Sequence, residues 1–403
     1  MKRPLRWTAF AAGATLSAAL GAASCADAGE ERSPDDLPGP GPSVIPDAGA
    51  PEDAACDGDG CAALSPCAET DFCPVTTGPD PRWTLTAVWG TSKDDVWAVG
   101  SRGTILHWDG AAWTATPSGT PQTLFAITGS GPNDVWAFSS RGVVLRSTGF
   151  AAGAATWTAA PPVAPTYAQY PPQVHNESLL LAAWAGASGA LWTAGEPYPV
   201  VPDGERTPTP MNLWRRAKAG SAAAWDHDVI GSSVAVHGLW GDAAHGVWAV
   251  GGTYGTALQR AGRTFHATVA AGGAPTWTEI DSQSSTDLHA VWGSSATDVW
   301  AVGDRGAVRH WTNATPKRWA IVDVPTESDL RAVWGSGPSD VWVVGDAGTI
   351  LHFDGETWEP ATAAFPLGLT PNLRGVWGSS ADDVWIVGDS VVLHSTGKAK
   401  SAP

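Results

Sequence analysis

The residues of this chain best able to do chemistry come in rows. An aspartate recurs at Asp95, Asp134, Asp298, Asp340 and Asp383, and a histidine at His107, His310, His352 and His394. Carboxylates and imidazoles are the usual acids, bases and metal ligands of active sites. Here, though, each appears once per copy of a repeated phrase, which spreads the copies through space and suits a structural task. The aspartates are expected to accept backbone N–H bonds and so fix a loop. The histidines are expected to be satisfied in place, with no shared metal. A third row breaks its own pattern. The second residue of each phrase is Thr86, Phe125, Leu181, His237, His289, Arg331 and Arg374 in turn, so the last four copies supply two imidazoles and two guanidiniums. No Ser-His-Asp, P-loop or HExxH pattern is present, and no pair of carboxylates stands out as a glycosidase pair. No catalytic residue, metal or cofactor is assigned.

The phrase that positions these residues reads LRAVWGSGPSDVWVVGDAGTILHFDGETW at 330–358, with close copies opening at Leu85 and Leu288 and weaker ones near Leu124, Leu180, Val236 and Leu373. One pair of positions ties the seven together: Trp89/Trp97, Thr128/Trp136, Trp184/Trp192, Trp240/Trp248, Trp292/Trp300, Trp334/Trp342 and Trp377/Trp385. The copies recur every 39 to 56 residues. Short Val-, Ile- and Trp-rich runs split by Gly and Asp at that period predict β-propeller blades. Within a copy, LRAVW reads as strand A, DVWVVG as B, TILHF as C, and the segment ending at Trp358 as D. Blades pack face to face, so both sides of a strand need apolar cover. The seventh copy stops after strand C. Its missing strand is expected before the first copy, where Pro81-Arg82-Trp83-Thr84 supplies an orphan Trp that would close the ring. The expected fold is all-β: a seven-bladed propeller of four-stranded antiparallel blades over 79–397, closed by an N-terminal strand and followed by a tail at 398–403.

Strand order fixes which residues share a face. D–A connections and B–C turns lie where strand A begins, so the His237, His289, Arg331, Arg374 arc should ring the mouth of the axial channel. The long D–A segment 158–179 and the long B–C segment 196–212 fall on that side, and so do all four tyrosines, Tyr167, Tyr170, Tyr198 and Tyr254. Tyrosine offers a stacking face and a hydroxyl, which suits sugar or peptide recognition. The core needs none of these residues, so their replacement is expected to spare stability.

Ahead of the repeats the composition changes. Residues 1–24 have a basic start and a short Ala-rich apolar stretch, as a secretory signal peptide does. Small residues ending at Cys25 resemble the lipobox of bacterial lipoproteins, which implies a lipidated Cys25 as the mature N-terminus. Ala22 stands where that motif usually has Leu, and ordinary cleavage after Ala26-Asp27-Ala28 is the competing reading. Residues 25–78 read as an acidic Pro/Ala-rich disordered tether. Thirteen acids against Arg32 give 26–80 a net −12, out of −17 for the whole chain. An acidic chain with no basic patch argues against nucleic acid and against an anionic membrane surface, leaving a lipid anchor as the only membrane contact. Cys56, Cys61, Cys67 and Cys73 interrupt the tether. In an exported chain two local disulfides are the default, in any of three pairings, since no CxxC spacing favours zinc. Reduction should then leave the propeller untouched.

The DG-x-x-W ends (Asp109-Gly110…Trp113, Asp354-Gly355…Trp358) resemble a shortened Asp-box of the BNR-repeat propellers. The whole unit is similar to the Trp-rich repeats of secreted bacterial propellers, including the photosystem II assembly-factor-like group. His107-Trp108-Asp109 also resembles a WD repeat, without the rest of that signature. The resemblance covers about three quarters of the chain and bears on fold more than function. The expected function is that of an exported, lipid-anchored, monomeric binding module of the bacterial cell envelope (an outer-membrane lipoprotein) or the extracellular space, with a glycan or protein ligand on the D–A/B–C face. The alternative implied by the resemblance is a sialidase-like glycoside hydrolase. That would need a converging arginine cluster and a Tyr–Glu pair. Arg331, Arg374 and Tyr254 are available, but no Glu has an evident place.

Overall fold

The computed structural model describes residues 67–78, 83–140, 142–163, 178–186, 189–200, 209–216, 225–231, 233–242, 246–254, 261–269, 275–312, 318–365 and 370–397. Residues 1–24, read as a signal peptide, and Cys25, Cys56 and Cys61 lie outside them. Seven four-stranded antiparallel sheets are present, as the repeat predicts. Their A strands are Leu85–Ser92, Ala126–Gly131, Leu180–Ala185, Val234–Asp242, Leu288–Ser295, Leu330–Gly337 and Leu373–Ser380, in blades 1 to 7. Each touches the A strand on either side, and that of blade 7 touches that of blade 1, so the ring closes.

The repeated tryptophan pair is a cross-strand pair. Trp89 lies opposite Trp97, Trp292 opposite Trp300, Trp334 opposite Trp342, and likewise in the other blades, with Thr128 opposite Trp136. The two members do different jobs. The strand-A indole lies over the glycine that follows its counterpart in the next blade. A Cβ on Gly335 would come within 2.6 Å of Trp292, and one on Gly90 within 2.7 Å of Trp377. Glycine is required there by close approach. In blade 2 the indole is replaced by Thr128, and the residue after Trp184 in blade 3 is Ala185.

The strand-B indole is the centre of each inter-blade core. Trp300 packs edge-on against Trp358 of the next blade at 5.3 Å, Trp248 against Trp319 at 5.1 Å, and Trp385 against Trp113 at 5.2 Å. Val, Leu and Ile from both blades complete each cluster, as around Trp300 with Val302, Val308, Leu330, Val341 and Leu351. Burying such side chains on both faces supplies about 25 cal/mol per Å² of apolar surface, the main force holding neighbouring blades together.

The ring is closed by an N-terminal strand, but at a different place from the orphan Trp83. Phe72–Pro74, inside the stretch read as tether, pairs antiparallel with Val391–Ser395, the C strand of blade 7, with Cys73 opposite His394. Phe72 is fully buried and meets Trp342 edge-on at 5.1 Å, taking the place that a strand-D Trp has elsewhere. Geometry excludes Pro81–Thr84. Strand D is outermost and strand A innermost, three strand spacings or about 14 Å apart, a distance that about four residues at 3.3 Å each must cross. Thr84 abuts Leu85 and leaves none. It instead bridges Asp389 at the start of strand A, while Trp83 O accepts from Ser390 N. Cys67 and Cys73 lie with their α-carbons 5.5 Å apart, a separation that a disulfide spans.

Candidate functional site

Both rows of potentially catalytic residues converge inside blades 1, 5, 6 and 7. In blade 5 the Asp298 carboxylate accepts from His310 Nε2 at 2.6 Å and from Ser294 Oγ at 2.5 Å. Blades 1, 6 and 7 repeat this with Asp95/His107/Thr91, Asp340/His352/Ser336 and Asp383/His394/Ser379, and blade 2 uses Arg146 in place of the imidazole. Each histidine also packs against its blade's strand-B indole, His310 and His394 stacked at 3.7 and 4.0 Å, His107 and His352 tilted at 4.3 and 4.2 Å. Burial works to raise the Asp298 carboxyl, but hydrogen bonds from His310, Ser294 and Trp300 together outweigh it and hold it below the ordinary carboxylate value; Asp95 behaves alike. The hydroxyl donates to the carboxylate, and the carboxylate stands between hydroxyl and imidazole. A nucleophile activated by a base needs the imidazole against the hydroxyl instead. These are internal struts for the A–B loop, bonded through side chains where backbone N–H partners were expected.

The DG turns are likewise structural. Asp354 Oδ1 accepts from the backbone N–H of Glu356 and Thr357 at 2.9 and 2.8 Å, and Asp109 does the same with Ala111 and Ala112. Those bonds, Thr357 foremost, lower the Asp354 carboxyl although it is exposed. They close the C–D hairpin as an Asx turn.

The His/Arg row does form an arc at one end of the ring. The second residue of strand A sits at a β-bulge in blades 1 and 3 to 7, between Leu288 and Ala290 for His289 and between Leu330 and Ala332 for Arg331. A bulge turns a side chain away from regular alternation, here toward the neighbouring blade at the channel mouth. The rings of His237 and His289 stack 5.3 Å apart, and Arg331 Nη1 reaches His289 Nε2 at 2.9 Å. Three blades are thereby joined side by side. Burial, and then the neighbouring His289, depress the His237 imidazole below its ordinary value.

Three of the four basic members are paired with a carboxylate from their own B–C turn, fifteen residues on; His237, whose equivalent position is Gly252, meets the Leu288 carbonyl oxygen at 3.1 Å instead. His289 meets Asp304 at 2.5 Å; Arg331 meets Asp346 through two bonds, 3.1 and 2.6 Å, and Asp329 through a third; Arg374 meets Asp389 at 2.8 and 3.2 Å. Asp346 above all raises the Arg331 guanidinium. The sequence reading missed these aspartates. The signal was available as the recurring Val-Gly-Asp at the end of strand B, which an interest in basic residues alone passed over.

The tyrosines are not gathered as completely. Tyr254 follows strand B of blade 4, on the mouth side, and is 47% exposed. Tyr198 lies in a strand, opposite Met211, because strands Leu191–Val200 and Thr209–Arg216 extend into the B–C insertion of blade 3 from both ends; residues 201–208 fall outside the described residues. Tyr167 and Tyr170 fall outside the described residues. Among the described residues no group of three or more His, Cys, Asp or Glu could hold a metal ion, and no helix is long and apolar enough to cross a membrane.

No protein-family model matches this chain, and no curated protein does. Solved structures do resemble it. YCF48 bound to D1 peptide superimposes with a TM-score of 0.57 at 16% identity, covering 83% of this chain and 97% of that one. YCF48 from Cyanidioschyzon merolae gives 0.54 at 18%, covering 80% and 98%. A streptogramin B lyase gives 0.58 at 12%, covering 78% and 94%. YCF48 is a photosystem II assembly factor, so one of the groups that the repeat resembles in sequence is also a neighbour in fold. At these identities the likeness extends to fold alone, and the same fold serves a lyase.

Proposed function

We propose that this chain is an exported, envelope-tethered propeller that binds a segment of polypeptide at the channel mouth. Residues 1–24 serve as signal peptide, Cys25 as lipid attachment site and 26–66 as tether. The observation that carries the binding site is the ionic belt His237–His289–Arg331, with Arg374 beside it, half-buried in four successive blades on the face that exposes Tyr254. Four carboxylates, Asp304, Asp329, Asp346 and Asp389, stand against two guanidiniums there, so the mouth favours polar or basic peptide groups over anionic sugars. That YCF48 has been captured with a peptide supports polypeptide as the ligand class. The sialidase-like alternative loses its footing, because Arg331 and Arg374 are committed to Asp346 and Asp389 instead of converging on a substrate carboxylate.

Screening the full-length protein against peptide and glycan arrays tests this. Peptides bearing Lys or Arg should be retained, and Tyr254→Ala should weaken the best of them by more than about 1 kcal/mol without moving the melting temperature. Arg331→Ala should weaken binding too, but contrary to the expectation from sequence it should also cost about 1–3 kcal/mol of stability, because it strands half-buried carboxylates. Retention of sialylated glycans alone would overturn the polypeptide reading.

A further inference from the structure

Five of the seven strand-B tryptophans have a second neighbour from the following blade, a side chain at or near the end of strand C. Trp385 receives Trp108 at 5.0 Å, Trp97 receives Phe150 at 6.3 Å, Trp136 receives the Arg216 guanidinium at 5.1 Å, Trp248 receives Trp311 at 5.3 Å, and Trp300 receives Phe353 at 5.1 Å. Register identifies the residue that should do this in the other two blades. Phe353 lies opposite Val341, and the equivalent partner of Val247 in blade 4 is Ala267. In blade 7 the same place after His394 is held by Ser395. So two of the seven sockets lack their knob, and a cavity adjoins each. One of ≈ 210 Å³ lies between Trp342 and Ser395, where Phe72 of the closing strand fills part of the space. The other, ≈ 490 Å³, lies between blades 3 and 4 against Trp192, and among the described residues no strand is added there.

The larger cavity lies within the range of about 300–1,000 Å³ of sites that take small groups. Its lining includes Trp192, Leu213, Arg215 and Pro275, with Asp226 and Asp228 at one side. The Arg215 guanidinium rests over Trp192 at 5.5 Å and reaches Asp226 at 3.5 Å. Asp228 accepts from Trp277 Nε1 at 2.9 Å, so it belongs to the wall, whereas Asp226 is exposed at the rim. Trp192 can offer an entering aromatic ring the edge-on or offset contact that other strand-B indoles receive from the following blade. We propose that this cleft, on the A–B/C–D end of the ring and away from the mouth, receives an aromatic side chain from a polypeptide partner, with a neighbouring basic residue of that partner against Asp226. The partner's ring would supply the knob that five blades supply from their own strand C or the segment just after it.

The test uses full-length protein and a blocked Lys-Trp-Lys tripeptide carrying 5-fluorotryptophan, followed by ¹⁹F line width. Saturable broadening is expected. Ala267→Phe, which restores the knob, should weaken it by about tenfold or more with an unchanged or raised melting temperature. Asp226→Lys should weaken it to a similar degree, while Arg331→Ala should not affect it, which separates this cleft from the mouth. No saturable broadening at millimolar peptide, or equal binding by folded Ala267→Phe, would overturn the proposal. Should Ala267→Phe fail to fold, Asp226→Lys decides alone: unchanged binding overturns it. Binding of a methyl glycoside at this cleft in preference to the peptide would likewise overturn it.

Discussion

At the scale of single residues, the Asp–His–Ser struts and the mouth belt use the same side chains for opposite ends. Asp298 holds an imidazole that is itself stacked on an indole, so every partner is fixed and nothing is left to meet a substrate. The strut should be visible in the acid limb of stability. Asp298 has its carboxyl lowered from an ordinary 3.8 by bonds that outweigh its burial, so its contribution is complete above 3.8 and is lost as pH falls through the lower folded value. Asp298→Asn should cost about 1–3 kcal/mol at neutral pH. Its melting temperature should approach that of the wild type as both are taken down to about pH 2. A gap that stays constant to that pH would mean the carboxylate's charge is irrelevant to the strut.

At the scale of elements, the closing strand is where stability should be most sensitive to a small change. Phe72 is fully buried between blades 6 and 7, and the Asp71–Phe72 backbone also bonds to Thr362 of blade 6. Phe72→Ala should cost about 3–5 kcal/mol in thermal or urea unfolding, and Trp83→Ala less. Cys73 lies in the same strand, so if Cys67 and Cys73 are joined, reduction should lower the melting temperature, not spare it. An unchanged transition after both Phe72→Ala and reduction would show that the ring is held shut elsewhere. What could be read from the sequence here follows from periodicity. Strands A to D and the pairing of Trp334 with Trp342 were legible because a seven-fold repeat averages away local accidents. The closing strand was not, because it occurs once, holds three residues and sits in an acidic segment with no repeat to mark it. The mouth arc was half legible. Its basic residues stand out as departures from a pattern, whereas Asp346 and Asp389 belong to the pattern and do not.

At the scale of the whole molecule, the ring is assembled by two circuits of tryptophan, one on glycine near the axis and one among indoles further out. Both run through all the blade interfaces with few gaps. Thr128 is the break in the inner circuit, and Ala267 the break in the outer one that, among the described residues, no added strand fills. Function should therefore sit on the ends of the ring and at its gaps, not within the blades. The measurement that reaches this most directly is site-specific photo-cross-linking of the full-length protein in its native cells, with a benzophenone amino acid at Tyr254 on the mouth face or at Ala381 in an A–B loop of the other face. A discrete polypeptide adduct from position 254, absent from position 381 and lost with Arg331→Ala, is the expected result. Adducts from position 381 alone would contradict the assignment of the mouth as the binding face.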